Sequence, residues 1–222
     1  MSNKHVLMIG AGGHARAVFD VIKSENRYRM VGLIDSFQKP GTICFGCTVL
    51  GEEADIPRIC SELNVAHVVI AIGDNFQRQA MANRIKQVLP IIKLISTVHP
   101  SAVISSDVKI GDGTVIMPGV TIISGSSIAE GCVLNTASSL DHDGRMDSWS
   151  SLGPGVITGG YLRLGERASI CLGSVVKDRI SIGRDTVVGM GAVVTRNMPD
   201  NVLAYGAPCR IIRSRKPDES YM

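Results

Sequence analysis

The sequence predicts two architectures in one chain: an α/β domain of Rossmann type, then a solenoid of short parallel strands. Three observations predict this. Over the first hundred residues, apolar runs of strand length alternate with segments of helical period. From Ile104 to Val194 an aliphatic residue recurs at every sixth position, a period that neither an α-helix nor an ordinary strand explains. Between the two, Thr97-Val-His-Pro100 reads as a link where the period changes, so the domains are expected to span residues 1–97 and 98–222, the second with a short C-terminal tail.

In the first domain, Val6-Leu-Met-Ile9 reads as a buried strand, followed by the glycine turn Gly10-Ala-Gly-Gly13 and a helix over residues 14–22. Met30-Val-Gly-Leu-Ile34 is a second strand closing on Asp35, and residues 56–63 have helical character. Val68-Val-Ile-Ala-Ile72 is a third strand ending at Gly73-Asp74-Asn75, and residues 77–89 form a further helix stopped at Pro90. In parallel sheets of this kind ligands sit beyond the carboxyl ends of the strands. Those ends here are residues 10–14, Asp35-Ser36 and residues 73–75, which are expected to share one crevice.

In the solenoid the series runs Ile104, Ile110, Ile116, Ile122, Ile128, Leu134, Leu140, Met146, Leu152, Thr158, Leu164, Ile170, Val176, Ile182, Val188 and Val194, broken only by Thr158. Two positions earlier the residue is mostly small, as at Thr114, Ser126, Cys132, Ser138, Ser150, Ala168, Ser174 and Ala192. Each hexapeptide is expected to form one flat side of a coil, with the aliphatic pointing inward and the small residue at a tight corner.

The bulk numbers bound the function. With 45% hydrophobic and 19% charged residues in 222, the chain folds around real cores and is not disordered. Aromatics at 4% suit a narrow interior of stacked Val, Ile and Leu. A net charge of +3 argues against a nucleic-acid partner, and no basic run is interleaved with aromatics. No stretch approaches the roughly 18 apolar residues of a membrane helix, and the amino terminus lacks a signal-peptide layout. Six scattered cysteines suggest reduced, cytosolic thiols. Cys44-Phe-Gly-Cys47 has the spacing of a metal knuckle but no second pair, so a plain loop is expected and no metal. Arg210, Arg213, Arg215 and Lys216 gather near the end, where they meet phosphates or are simply solvated.

Two constellations carry chemistry. Gly10-Ala-Gly-Gly-His-Ala15 presents backbone N–H groups at a helix start, which suits a phosphate. Three readings fit it: a nucleotide or nucleotide-sugar site, a dinucleotide site in which Asp35 meets the ribose, or glycines serving only a tight turn. Dehydrogenase chemistry has no substrate domain here, because the rest of the chain is solenoid. The second constellation is Leu140-Asp-His-Asp143. His142 lies two residues past an inward position, so its imidazole is expected to project outward. Asp143 is placed to orient the ring and favour its protonated form, as a general base requires; a solvated surface histidine is the alternative.

Together, Gly10-Ala-Gly-Gly-His14, Ile34-Asp35, Ala71-Ile-Gly73, His99-Pro-Ser-Ala102, Asn135-Thr136, His142-Asp143, Pro154-Gly155, Gly159-Gly160, Gly191-Ala-Val-Val194 and Gly206-Ala-Pro208 cover nearly the whole chain. In order and spacing they resemble the bacterial acetyltransferases that modify nucleotide-linked amino sugars, with the related sialic-acid O-acetyltransferases. The resemblance implies a left-handed parallel β-helix that forms a cytoplasmic homotrimer with active sites between subunits, serving surface-polysaccharide synthesis. It implies acetyl-coenzyme A as co-substrate and UDP-, dTDP- or GDP-linked amino sugars as acceptors, with His142 as base and Asp143 beside it. It places Gly12, Gly13 and His14 on the sugar nucleotide, Asp35 and Ser36 on its base, and Gly73 on the same ligand. The Gly160 amide would hold the thioester carbonyl, Leu172 and Met190 would line the pantetheine path, and Arg210 would meet a coenzyme phosphate. Asn135 either supports the reacting centre or stacks within the coil. Family members often carry a second histidine nine residues beyond the first. Ser151 stands there instead, where its hydroxyl is expected to hydrogen-bond the coenzyme, leaving His142 as the sole base. Cys209 stands where alanine is usual. Transfer to a hydroxyl and a non-enzymatic sugar-nucleotide-binding solenoid are the competing functions.

Overall fold

The computed structural model describes residues 4–221. Its first part is a six-stranded sheet in the order β3-β4-β2-β1-β5-β6. The elements follow as β1 (Lys4–Ile9), α1 (Gly13–Glu25), β2 (Tyr28–Ile34), β3 (Ile43–Cys44), β4 (Cys47–Gly51), α2 (Ile56–Glu62), β5 (His67–Ile70), α3 (Asn75–Val88) and β6 (Lys93–Leu94). The strands run parallel except β3 against β4. Alternation along β1 sends Val6 and Met8 to the face covered by α1, and Leu7 and Ile9 to the face covered by α2 and α3. Each sequence-expected element is present, with ends differing by a few residues.

The segment 97–100 is not a link. Thr97–Val98 is already the first strand of the solenoid and pairs with Val115–Ile116. From there, two-residue strands stack with a register of eighteen residues, as in Val115 against Val133, and build a left-handed parallel β-helix of three flat faces. Each strand ends on the periodic aliphatic, and from Ile116 to Val194 every one of these positions is buried, Thr158 included. The small residues two positions earlier also point inward. Thr114, Ser126 and Ser174 donate their hydroxyls to carbonyls fifteen residues on, so their small size admits a hydrogen bond that crosses to the next coil. At the corners the chain adopts left-handed backbone every sixth residue, supplied by glycine at Gly113, Gly119, Gly125 and Gly131. Above these, Ala137, Asp143, Trp149 and Tyr161 hold the same conformation at some steric cost.

Cys44 and Cys47 face each other across a tight hairpin whose central residues, Phe45 and Gly46, both have positive φ. A two-residue turn of that hand accounts for the spacing, and all six cysteines are free.

One buried cation ties the two parts together. Arg78 on α3 is fully buried, and no carboxylate pairs with it among the described residues. Its Nε donates to the Gly131 carbonyl, and Nη2 to the Trp149 carbonyl and the Asn75 side chain. Its Nη1 donates to the carbonyls of Ile72 and Gly73. Asn75 Nδ2 continues the bridge to Ser151 Oγ and the carbonyls of Arg167 and Ala168. Trp149 closes the seam, its ring lying where a side chain on Gly131 would stand, 2.2 Å from an added Cβ. Removing the guanidinium strands several buried carbonyls, so Arg78→Ala is expected to cost on the order of 3–5 kcal/mol of stability, measured by urea unfolding.

Candidate active site

The carboxyl ends of the three central strands converge as expected. Gly10 N–H donates to the Ile34 carbonyl at 2.7 Å, and Ala71 N–H to that of Ile9 at 2.8 Å. The Asp35 carboxylate knots the crevice: Oδ2 accepts from Ala11 N–H, and Oδ1 from the N–H groups of Phe37 and Gln38. Ser36 and Asp35 line a cleft of about 380 Å³ together with Gly10, Ile72, Gln77 and Arg84. A larger cleft of about 690 Å³ opens at the opposite, amino-terminal edge of the sheet, lined by Lys4, Tyr28 and His67, away from the loops that carry these groups.

The glycines of the first loop have different reasons to be glycine. Gly10 has φ of +112°, and a Cβ there would meet the Ala71 carbonyl at 2.8 Å, so the turn itself requires it. A Cβ on Gly12 or Gly13 would meet nothing within 4 Å. The bare backbone there faces open space at the start of α1, whose first turn has no acidic residue and no side-chain cap. Such an end offers unpaired N–H groups to an anion.

His14 stands at the start of α1, beside these glycines. Its side chain is half-buried, and Nε2 is buried without a hydrogen-bond partner. Burial first, then the nearby Arg78 charge, lower its pKa from 6.5 to about 4. The carbonyl of Gly73 is taken by Arg78.

His142 stands on a corner of the coil with its side chain 47% exposed. Its Nδ1 lies 2.9 Å from Asp143 Oδ2, which directs Nε2 outward. One coil on, Gly160 lies against that nitrogen: an added Cβ would lie 2.4 Å from Nε2, so only glycine admits the ring in this pose. Two neighbours escaped the sequence reading. Tyr161 packs edge-on against the imidazole, with ring centroids 5.1 Å apart, and the Arg179 guanidinium lies 4.2 Å over the Tyr161 ring. Asp143, Tyr161 and Arg179 are eighteen residues apart in turn, and that arithmetic was available in the sequence.

The remaining expected residues scatter over the coil. Leu172 and Met190 are exposed on successive coils of one corner. That corner and the corner of His142 flank the same face, formed by the strands at Ser139–Leu140, Ile157–Thr158 and Val175–Val176. Asn135 is held within the wall, its N–H and Nδ2 both donating to the Leu152 carbonyl. Arg210 is exposed, with Nη1 on the Cys209 carbonyl, whereas Arg213 is paired with Glu219 and Arg215 is buried on the Asp185 carbonyl. Ser151 does not fit a coenzyme contact. It is buried on a different face, its hydroxyl taken by Asn75 and Ser169. Nine residues are half a coil, so the position cannot share an edge with His142.

Among the described residues no group of His, Cys, Asp and Glu is placed to hold a metal ion, and no helix is long and apolar enough to cross a membrane.

Comparison with known proteins identifies the family. Residues 5–85 match the PglD N-terminal domain. A crystal structure of a histidine-to-asparagine variant of perosamine N-acetyltransferase from Caulobacter crescentus, in complex with CoA and GDP-perosamine, is similar over 95% of this chain and 97% of that one. The two share 34% identity, with a TM-score of 0.89. The chain belongs to the nucleotide-amino-sugar acetyltransferases of the hexapeptide-repeat family. Curated relatives include GDP-perosamine N-acetyltransferase of Escherichia coli O157:H7, 31% identical over 55% of this chain and 54% of that protein. UDP-N-acetylbacillosamine N-acetyltransferase of Bacillus subtilis (strain 168) is 33% identical over 51% of each. The chain thus spans about half the length of these curated relatives.

The depressed His14 pKa sets the sign of an acid effect. The unfolded chain binds this proton near pH 6.5 and the folded chain only near pH 4, so the contribution is intact above 6.5 and is lost as pH falls through that window. His14→Leu is expected to lower Tm less than wild type does between about pH 7 and about pH 4.5, by differential scanning calorimetry; an identical drop would show that His14 does not carry the effect.

Proposed function

We propose that the protein transfers the acetyl group of acetyl-coenzyme A to the amine of a nucleotide-linked amino sugar, with His142 as general base. The observation that carries this reading is the alignment of His142 Nε2 with Gly160 on one exposed corner, backed by Asp143 at 2.9 Å. The neutral amine attacks the thioester carbonyl as His142 takes its proton, and Asp143 stabilises the imidazolium. The Gly160 N–H meets the charge developing on the carbonyl oxygen, a fixed donor of a kind worth on the order of 3 kcal/mol in other enzymes. The C–S bond then breaks, and the thiolate recovers a proton from His142. Amide and free coenzyme A are the products, with no covalent enzyme intermediate.

The nucleotide is assigned to the crevice at Gly12, Gly13, Asp35 and Ser36, where bare backbone faces open space. Asp35 acts mainly by fixing the loops, since its carboxylate accepts from the backbone N–H groups of Ala11, Phe37 and Gln38. Leu172 and Met190 line the pantetheine path, and Arg210 meets a coenzyme phosphate. The matched enzymes act on GDP-perosamine and UDP-N-acetylbacillosamine by name; a GDP-, UDP- or dTDP-linked 4-amino-4,6-dideoxy sugar is the corresponding substrate class here. Such a product serves surface-polysaccharide synthesis in the cytoplasm.

The active unit is a homotrimer. Of the three coil faces, the one at Val187–Val188 and its neighbours is covered by the amino-terminal domain and the tail, and the one at Arg145 and Arg163 is polar. The third leaves Ile157 57% and Val175 39% exposed between the two proposed substrate corners. A second copy on that face hides this apolar surface and supplies the wall that His142 lacks.

In an assay of coenzyme A release with a panel of nucleotide-linked amino sugars, His142→Ala is expected to lose about 100-fold or more in kcat while still binding acetyl-coenzyme A. Full activity of that variant removes the base assignment. A product labile to mild base marks an ester and hence a hydroxyl acceptor. Val175→Glu is expected to dissociate the trimer in analytical ultracentrifugation and to lower activity with it.

A further inference from the structure

We infer that Thr158 is a positioning residue that sets the place of His142 by replacing a rung of the coil with its own hydroxyl; this rests on the reading of His142 as the base. Thr158 is the one polar member of the inward series, and it is 3% exposed. Above and below it the coil is regular: Ile123 N–H donates to the Leu140 carbonyl, and Gly159 N–H to that of Val176. By the same rule Asp141 N–H would donate to the Thr158 carbonyl. Instead it donates to Thr158 Oγ1 at 3.2 Å, and that hydroxyl donates on to the Ser139 carbonyl at 3.1 Å. The ladder records the interruption. Ser139–Leu140 registers with Ile157–Thr158 through Ser139 and Ile157 alone, whereas the strand pairs on either side register through both residues.

The interruption falls on the residue before His142. Asp141 is gripped from the other side as well, its carbonyl accepting from Ser126 Oγ at 3.0 Å, and Ser126 Oγ also receives Gly144 N–H. Ser124 accepts Asp143 N–H, and Tyr161 N–H donates to the His142 carbonyl, so the turn 141–144 is clamped from both neighbouring coils. The position needs no hydroxyl for packing, because aliphatic residues fill every other inward place. Thr158 also leads directly into Gly159 and Gly160. One side chain therefore joins the strand that delivers the base to the strand that delivers the oxyanion donor, and sets their separation.

Two variants separate positioning from packing. Thr158→Val keeps the volume and removes the hydroxyl; Tm is expected to hold or rise, while kcat falls about tenfold with KM for acetyl-coenzyme A within about twofold. Thr158→Ser keeps the hydroxyl and loses a methyl; Tm is expected to fall by a few degrees while kcat stays near wild type. Wild-type kcat in Thr158→Val overturns the inference, as does a kcat that follows Tm across the two variants. His142→Asn is measured beside them. If it is inactive while Thr158→Val has full kcat, only the positioning role falls. If it is fully active, the base assignment falls and the positioning role with it.

Discussion

A guanidinium sealed away from water, with no carboxylate opposite it, is stable only if its N–H groups all find oxygen. Arg78 meets that demand by drawing on both halves of the chain: carbonyls of the loop after β5 on one side, and carbonyls of the coil corners at Gly131 and Trp149 on the other. Neither half alone could bury the cation. The loop that closes the nucleotide crevice is thereby fixed against the coil that carries His142. The same charge also helps keep the His14 ring neutral beneath the glycine loop. Gln79, Glu166, Arg167 and Asp185 extend the seam in a chain of hydrogen bonds, so a polar, directional joint runs beside the apolar contacts that join the two parts.

Within the coil, register takes the place that loops occupy in other enzymes. Asp143, Tyr161 and Arg179 stack because each is one coil from the next, and Gly160 comes against His142 for the same reason. Rigid backbone sets these distances, which favours donors fixed before reaction over donors that must move. The departure at Thr158 shows how such a lattice is adjusted locally, since a hydroxyl of the right size opens one rung without disturbing the coils on either side.

Much of this was legible in the residues. The period of six survives because every inward position faces the same narrow interior, and the outward corner place of His142 follows by counting. The alternating domain was readable because strand ends coincide with glycine and acid. What failed had physical causes. Thr97–Val98 looked like a link because Pro100 follows it, yet its ladder partners lie eighteen residues on, beyond local pattern. Ser151 was judged by its distance from His142 along the chain, whereas half a coil carries it to another wall. The burial of His14 Nε2 is likewise something that no spacing reveals. The joint at Arg78 was invisible because an arginine on a helix reads as solvated until its partners from another domain are known.

A site assembled by counting also restricts how the chain can change in length. Adding one hexapeptide between His142 and Gly160 would turn everything above it by a third of a revolution and carry the glycine to a different wall. Adding three would restore the angle but lift the glycine by one strand spacing, about 4.8 Å, out of reach of the imidazole. Whole coils can therefore be added or lost only beyond the stretch that carries both the site and the joint with Arg78, and hardly at all inside it.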